Sequence, residues 1–174
     1  MTKRPLFLSI VLAAVLIGVA AAQDADTPAP APAPGNPIAL RTEIFIVSLV
    51  TLDDGSREER FTPATSAIPG QVIEYRIFAT NTGETTLPAG RIQVLGPVQQ
   101  GMEFVAGSAT PNSDRILTEY SADGTEFGVP PILAGTGAER RVVEPEDYRA
   151  VRWTLLVPME PGQEEPFFYR VTLL

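Results

Sequence analysis

Carboxylates next to glycine are the side chains of this sequence with the clearest chemical potential. An Asp-Asp-Gly lies at residues 53–55 and an Asp-Gly at residues 123–124. Carboxylate and carbonyl oxygens are the ligands that Ca²⁺ prefers, so both segments are candidate calcium ligands. Asp and Gly also suit tight turns for backbone reasons. Neither segment has the spacing of a calcium-binding loop, which favours the turn interpretation.

A second acidic pair, Glu58 and Glu59, is of the type that glycosidases use for acid–base catalysis. Nothing in the sequence places a pocket around this pair. The chain has no histidine and no cysteine, and its only lysine is Lys3. The usual general bases, nucleophiles and zinc or copper ligands are therefore largely missing. The sequence predicts a protein that is not an enzyme and that has no cofactor and no metal site.

Charge restricts the choice of partner. The formal net charge is −8, and an acidic protein repels nucleic-acid phosphates and anionic membranes. The sequence therefore predicts no nucleic-acid partner. Charged side chains also cluster at residues 139–141 (Glu-Arg-Arg) and at Glu144, Glu146 and Asp147. They form either a rim that binds a protein partner or a solvated loop, and the solvated loop is the simpler interpretation.

One stretch organises the elements that carry these side chains. Residues 69–83, PGQVIEYRIFATNTG, begin with a Pro-Gly turn and end with an Asn-Thr-Gly turn. Between the turns the apolar side chains alternate with polar ones, which predicts a strand with one buried face. The inward positions are Ile73, Tyr75, Ile77 and Ala79, and the outward positions are Glu74, Arg76 and Thr80. We expect this strand near the middle of an antiparallel sheet.

The rest of residues 38–174 has the same character. Residues 150–157 and 167–174 alternate clearly, with Trp153 as the largest core candidate. Gly and Pro separate about seven to nine short strands, while residues 128–149 are irregular. Many short strands with turn signals and no convincing helix predict an all-β fold, an antiparallel β-sandwich.

Two strands are candidates for pairing with another chain. Residues 44–50 (IFIVSLV) are apolar on both faces, and residues 167–174 are strongly β-prone. A strand of this kind at a sheet edge can pair with another subunit, which makes a homo-oligomer possible. The alternative is plain core packing, which is favoured.

The N-terminus predicts export. Residues 1–22 combine a charged start at Lys3 and Arg4, an apolar run from residue 6 to residue 19, and an Ala-Ala-Ala at residues 20–22. This is the pattern of a signal peptide cleaved after Ala22. An uncleaved leader is the alternative, and only then is the chain attached to a membrane. Residues 23–37 form an Ala/Pro-rich linker. It is either a semi-rigid spacer or a disordered tail that has no function.

Several segments of the predicted sandwich resemble the domain-of-unknown-function-11 family, the conserved-repeat domain of bacterial and archaeal surface proteins. Residues 69–83 are similar to the family signature, and residues 101–111, 120–127 and 148–153 are similar to later segments. The resemblance covers about residues 40–174. It implies an immunoglobulin-like sandwich outside the cytoplasm, without catalytic residues. Unlike many members this chain holds one copy, and residues 95–97 are Leu-Gly-Pro where many members have Asp.

Three hypotheses for function follow. The first is a non-enzymatic cell-envelope or secreted protein, located in the periplasm, at the cell surface or outside the cell. It acts as a structural, adhesion or binding module with a protein or cell-envelope partner. The second is a self-assembling surface-layer or fibre subunit that uses edge-strand contacts. The third, a secreted hydrolase, is disfavoured by the missing His, Cys and Lys side chains.

Overall fold

The computed structural model of the protein describes residues 37–174, and this part is all-β. The ten strands are β1 (Ile38–Thr51), β2 (Arg57–Pro63), β3 (Val72–Asn81), β4 (Gln93–Pro97), β5 (Met102–Phe104), β6 (Ile116–Ser121), β7 (Leu133–Ala134), β8 (Arg141–Val142), β9 (Ala150–Leu155) and β10 (Glu164–Leu173). Every pairing between them is antiparallel, which confirms the predicted all-β, antiparallel character. The predicted signal peptide (residues 1–22), and the predicted linker apart from Pro37, lie outside the described residues.

The predicted organising strand is β3, and it lies in the middle of a five-stranded sheet. The strand order is β2-β1-β3-β10-β5. The four side chains predicted to point inward from β3 are all buried. The turn before the strand contains Gly70 with φ of 89°, a left-handed conformation that glycine adopts without a Cβ clash. The hydrophobic period and the turn residues thus act together to place β3.

The second sheet has three strands in the order β4-β9-β6, and it shares one hydrophobic core with the first. Trp153 of β9 is completely buried, as predicted for the largest core side chain. Its ring centroid lies 5.5 Å from that of Phe167 and 5.9 Å from that of Tyr169, both on β10. Its indole N–H donates a hydrogen bond of 3.1 Å to the carbonyl oxygen of Thr110. The tryptophan therefore joins the two sheets without leaving a polar atom unpaired.

The stretch predicted to be irregular, residues 128–149, carries a small sheet of its own. Strands β7 and β8 pair with each other; one short 3-10 helix, Gly137–Glu139, lies between them, and another, Pro145–Asp147, follows β8. Three side chains in this stretch are buried, namely Ile132, Val143 and Tyr148. These three side chains attach the stretch to the hydrophobic core of the domain.

The two large sheets differ in width, and their contacts show which strands face each other. Phe104 of β5 contacts the ring of Tyr120 of β6, while Trp153 of β9 contacts β10. A Cβ on Gly96 of β4 would lie 2.8 Å from Tyr169 of β10 and 3.0 Å from Trp153. The three strands of the smaller sheet therefore face the β5, β10 and β3 side of the larger one, and β1 and β2 extend beyond its edge.

The outer part of this overhang is a two-stranded hairpin. Strand β3 pairs with β1 no farther than Val47, whereas the β1–β2 pairing continues to Thr51 and Arg57. All seven residues of β2 are exposed. In the sequence, residues 57–60 are recognisable only as a polar stretch, because a strand without a buried face carries no hydrophobic alternation.

The end of β3 is fixed by a buried asparagine. Asn81 is completely buried, and its side-chain amide donates to the carbonyl oxygens of Thr85 (3.0 Å) and Met159 (2.9 Å). Its side-chain oxygen accepts from the backbone N–H of Gly83 at 3.0 Å. One side chain thus holds the predicted Asn-Thr-Gly turn, the loop before β4 and the loop before β10 together.

The close approach at Gly96 yields a stability prediction. We expect Gly96→Ala to lower the free energy of unfolding by about 1–3 kcal/mol, because the new methyl group overpacks the core against Tyr169 and Trp153. Gly128→Ala is a matched control, since its Cβ would meet only Ile132, at an ordinary 3.7 Å. Urea unfolding monitored by tryptophan fluorescence measures both variants. Equal losses in the two variants would contradict the assigned packing.

Candidate functional site

The outermost strands of the two large sheets differ in how well their free edges are protected. The outer edge of β6 is covered in full by other parts of the chain. The Asn112 side chain accepts from the Thr118 N–H at 2.6 Å and donates to the Thr118 carbonyl oxygen at 3.3 Å. Ser113 N–H donates to the Ile116 carbonyl oxygen, and Tyr120 exchanges two backbone hydrogen bonds with Gly128. Strand β6 therefore has no room for a further strand.

The two edges of the five-stranded sheet are protected in other ways. Strand β2 carries charges at Arg57, Glu58, Glu59 and Arg60 and ends with Pro63. Charges and proline on an edge oppose pairing with another chain. Strand β5 is only three residues long. Both edges thus carry the features that natural sheets use against unwanted association.

Strand β4 has less protection along its outer edge. Its last residue, Pro97, has no N–H, and the Pro97 carbonyl oxygen accepts from the Tyr169 hydroxyl at 2.8 Å, but the described residues provide no such cover at residues 93–95. Its neighbour β9 donates from Leu155 N–H to the Ile92 carbonyl oxygen, and Val98 N–H donates to Arg149. Because backbone direction alternates along a strand, the even-numbered residues bond to β9 and the odd-numbered ones face outward. The N–H and C=O groups of Gln93 and Leu95 therefore lie on the outer edge. Residues 93–97 carry no charge, and Leu95 is 51% exposed.

The first half of β1 lies across a groove from this edge, and within it Leu40 is the exposed apolar side chain. Strand β2 pairs with β1 only from Phe45 onward. Leu40 shares the core-facing side of β1 with Ile38 and Ile44, which pack against the core, yet it is 53% exposed. A groove of about 670 Å³ lies here, lined by Ile38, Leu40, Gly90, Arg91, Ile92 and Gln93. We call this groove, together with the outer edge of β4, the β4 slot.

The β4 slot brings an open strand edge and an apolar side chain together. One side offers the backbone groups of Gln93 and Leu95, and the other side offers the apolar side chain of Leu40. An extended segment that adds to a sheet edge gains affinity from main-chain hydrogen bonds and specificity from side-chain pockets. The geometry therefore suits the addition of one extended strand to β4.

A cluster of ion pairs occupies the opposite, outer face of the five-stranded sheet. Glu74 of β3 is only 4% exposed, and its carboxylate accepts from Arg76 Nε at 2.6 Å and from Arg170 Nε at 2.8 Å. Arg170 also donates through Nη1 and Nη2 to the two oxygens of Glu59, at 2.6 and 2.7 Å. These hydrogen bonds hold the pKa of Glu59 below its usual range. We call Glu59, Glu74, Arg76 and Arg170 the arginine cluster.

Two aromatic rings cover the arginine cluster. The guanidinium of Arg76 lies 4.5 Å from the ring centroid of Phe45 and 4.7 Å from that of Phe61. The two rings meet edge to face at 6.5 Å. Cation–π contacts of this kind add attraction where the charge is partly desolvated. Strands β1, β2, β3 and β10 are thereby tied together across the outer face.

Glu58 and Glu59, the weak candidate for a catalytic carboxylate pair, do not face the same side of the sheet. Glu58 and Glu59 are neighbours on β2, so their side chains point to opposite faces of the sheet. Glu59 is held by Arg170, and Glu58 is exposed. The buried carboxylate of this region is Glu74, which the alternation of β3 predicts on the outward face. No sequence signal marks its burial, because that burial depends on arginines from two strands that lie far apart in sequence.

The two Asp-Gly segments use their carboxylates inside their own turns. Asp54 Oδ1 accepts from Ser56 Oγ at 2.6 Å and from Ser56 N–H at 2.9 Å. Asp123 Oδ1 accepts from the N–H groups of Thr125 and Glu126 and from Ser121 Oγ, at 2.8, 2.9 and 3.0 Å. These hydrogen bonds lower the pKa of both carboxyl groups. Residues 37–174 contain no group of three or more acidic side chains placed to hold a metal ion.

The predicted rim lies on the surface. The charged residues at 139–141 and at Glu144, Glu146 and Asp147 are all exposed. Tyr148, directly after them, is buried and contacts the rings of Phe104 and Tyr120. The segment is therefore anchored at one end, and the choice between a solvated loop, which the sequence favours, and a partner-binding rim is not tested.

Neither of the two predicted pairing strands is an edge strand. Residues 44–50 belong to β1, which lies between β2 and β3, and residues 167–174 belong mainly to β10, between β3 and β5. The open edge is β4 instead. Sequence reasoning misses it because strand order is a tertiary property. The one local signal is an uncharged strand that ends in Gly96-Pro97.

Comparison with known proteins finds no matching family model, no matching curated protein and no matching solved structure. The resemblance to the domain-of-unknown-function-11 family therefore stays a prediction. Residues 37–174 also include no helix with the length and hydrophobicity needed to cross a bilayer.

The arginine cluster predicts unequal costs for its members. We expect Arg170→Met to lower the free energy of unfolding by about 3 kcal/mol, because the buried Glu74 loses one of its two cations. Glu59→Gln should cost less than about 1 kcal/mol, since Glu59 is largely solvated. Urea unfolding measures both. The double variant Arg170→Met/Glu74→Leu should recover part of the loss, and equal costs for the two single variants would contradict the cluster.

The Asp123 turn predicts a dependence of stability on pH. Its folded pKa lies below the ordinary value of 3.8, so the stabilisation is complete above that value and is lost as the pH falls through the folded pKa. Asp123→Asn cannot titrate, so its unfolding free energy should fall less steeply on acidification. Urea unfolding between about pH 7 and pH 2 measures both slopes. If the unfolding free energy of the wild type and of the variant depends on pH in the same way, the turn does not stabilise the Asp123 carboxylate.

Proposed function

We propose that this protein is an exported, non-enzymatic binding module of the cell envelope that accepts one extended strand of a partner protein at the β4 slot. The observation that carries the proposal is the contrast between strand edges. Among the two large sheets, β2, β5 and β6 are protected, whereas β4 exposes backbone groups at Gln93 and Leu95 beside an uncovered Leu40. Sheets that avoid association protect every edge, so an edge left open points to a use.

Export is supported by the N-terminal sequence. The charged start, the apolar run and the three alanines at residues 20–22 are the pattern of a signal peptide. We place the protein in the periplasm, at the cell surface or outside the cell. Attachment to a membrane is part of the proposal only if residues 1–22 are retained.

We assign the fold to the immunoglobulin-like sandwiches by its layers. Strands β1-β3-β10-β5 and β4-β9-β6 occupy the four and three positions of the two immunoglobulin sheets. The connectivity differs, because the last strand of this chain fills the position beside β3 that the fifth strand takes in immunoglobulin domains. Strand β2 is an addition at the edge. The assignment therefore rests on layering and strand position and not on chain order.

The alternative of a self-assembling surface-layer or fibre subunit has a steric obstacle at this edge. Two copies that joined β4 to β4 would bring their β1 strands toward each other, because β1 lines the groove beside β4 on the core side. A lone extended segment meets no such obstacle. The slot thus favours a partner that contributes one strand over a second folded copy.

A localisation experiment tests the proposal. The protein is expressed in its own host, and its share in the cytoplasm, the envelope and the medium is measured by immunoblot. We expect the wild type in the envelope fraction, and we expect Leu95→Lys to move it to the medium, because a lysine on an edge strand opposes pairing. Leu49→Lys is the matched control, since Leu49 is 60% exposed on the β1–β2 hairpin, away from the slot.

Three results would contradict the proposal, each in a different part. Retention of the wild type in the cytoplasm would contradict export. Wild-type protein found only in the medium would contradict an envelope partner. Equal envelope binding by the two lysine variants and the wild type would contradict the use of β4.

A further inference from the structure

The outer edge of β4 offers a short ladder of backbone groups that is closed at both ends. At the far end Pro97 has no N–H, and its carbonyl oxygen accepts from the Tyr169 hydroxyl at 2.8 Å. At the near end the N–H of Arg91 donates to a carbonyl oxygen of the preceding turn. Gln93 and Leu95 lie between these ends with their backbone groups turned away from β9. Because so few main-chain hydrogen bonds are available, the side chains of an added strand must supply part of its affinity and its specificity.

The pairing direction determines which residues of an added strand meet which residues of β4. Every pairing between the described strands is antiparallel, and antiparallel pairs are slightly more stable per residue than parallel ones. Directly opposed residues of an antiparallel pair place their side chains on the same face. In an antiparallel partner strand the residue opposite Leu95 therefore comes first, the residue opposite Gln93 follows two positions later, and the residue nearest Arg91 follows two positions after that.

The surroundings of Leu95 favour an apolar residue in the first of these positions. Leu95 is 51% exposed, and its neighbour across the β4–β9 pair is Arg152. The guanidinium of Arg152 donates to Glu119 at 2.8 Å and lies 4.3 Å from the ring centroid of Phe127, so this charge already has its partners. An apolar residue opposite Leu95 would cover the exposed leucine surface, and β-branched or aromatic side chains are the ones that stabilise such cross-strand pairs.

Arg91 favours an acidic residue in the third position. It is exposed, and its side chain forms no ion pair with any acidic side chain in the part of the chain that the structure describes. Residues 92–102, which include all of β4, carry no charge, so Arg91 is the only charged residue along this segment of a chain whose net charge is −8. Opposite charges across a strand pair stabilise it and like charges destabilise it.

We propose that the partner strand runs antiparallel to β4 and carries an apolar residue opposite Leu95 and, four positions later, a glutamate or aspartate beside Arg91. This inference rests on the proposed use of β4 as a strand-accepting edge, but not on export. Main-chain hydrogen bonds alone would accept any extended segment, whereas the two side-chain positions select among segments. A lysine or arginine in the acidic position is rejected by repulsion from Arg91, which adds to the specificity.

Titration of the full chain with short peptides, followed by nuclear magnetic resonance, tests the inference. The probes are acetyl-SVTTTES-amide and acetyl-SVTTTKS-amide, which place valine opposite Leu95 and either glutamate or lysine beside Arg91. We expect both peptides to shift the amide resonances of Gln93 and Leu95, and we expect the glutamate peptide to bind about twofold to fivefold more tightly. Leu95→Ala should weaken the binding of both peptides without changing the ratio of their affinities.

Reversal of the arginine charge separates direct pairing from an effect of net charge. Arg91→Glu should reverse the preference, so that the lysine peptide binds about twofold to fivefold more tightly than the glutamate peptide. Arg57→Glu is the matched control, because Arg57 is also exposed, lies on β2 and changes the net charge of the protein by the same amount. This control should keep the preference of the wild type.

Several outcomes would overturn the inference. Equal affinities of the wild type for the two peptides, or equal changes of preference in Arg91→Glu and Arg57→Glu, would show that Arg91 does not select an acidic residue. If neither peptide shifts the Gln93 and Leu95 amides while Leu95→Lys still releases the protein from the envelope, this inference fails and the proposed function stands. A glutamate preference that depends on Arg91, together with unchanged envelope binding of Leu95→Lys, would support this inference and contradict the proposed function.

Discussion

The constraint on which this structure depends is that a three-stranded sheet cannot cover a five-stranded one. The core lies where the two sheets face each other, around Trp153 and Tyr169. Strand β1 reaches this core only through Ile38 and Ile44, and strand β2 has no buried residue. Burial of apolar surface is the main favourable term in folding, so strands without a covering layer need another source of stability. Both unusual surfaces of the molecule involve these two strands: Glu59 joins the arginine cluster from β2, and Leu40 of β1 lines the β4 slot.

The arginine cluster stabilises the overhang from the outer face. Arg170 pairs in register with Glu74, Glu74 with Phe45, and Phe45 with Pro63, whereas Glu59 lies four residues farther along β2. In a flat sheet the Cα atoms of Arg170 and Glu59 would be about 19 Å apart, from strand spacing and rise, which is farther than the two side chains can reach. Their hydrogen bonds of 2.6 and 2.7 Å therefore require that β2 curls toward the outer face. The right-handed twist of sheets supplies part of this curl.

The curl explains why a carboxylate is buried on a face that the sequence predicts to be exposed. Glu74 is enclosed by Arg76 and Arg170, and Phe45 and Phe61 lie against the Arg76 guanidinium. A buried ion pair is weak evidence for stability, because desolvation offsets much of its attraction. An ion pair that joins a core strand to a strand without buried residues also fixes how the two strands are arranged. We regard the cluster mainly as a device that sets the position of the hairpin.

The sequence predicts those parts of the fold whose cause is local. Alternation over β3, β9 and β10 reflects one buried face per strand, and the Pro-Gly and Asn-Thr-Gly turns reflect backbone preferences, so both can be read without knowing the partners. Strand β2 carries no such pattern because neither of its faces is buried. The open edge of β4 cannot be predicted for a different reason. Whether an edge is open depends on what the rest of the chain leaves uncovered, as the contrast with Asn112 and β6 shows.

That contrast also bears on why the slot exists. The chain covers β6 with one asparagine side chain and three backbone hydrogen bonds, so a similar cover for β4 would need few residues. At β4 the chain instead leaves the backbone groups of Gln93 and Leu95 beside the apolar side chain of Leu40. Main-chain hydrogen bonds to such an edge are available to any extended segment. A strand that is held mainly by a few main-chain hydrogen bonds is also one that another strand can replace.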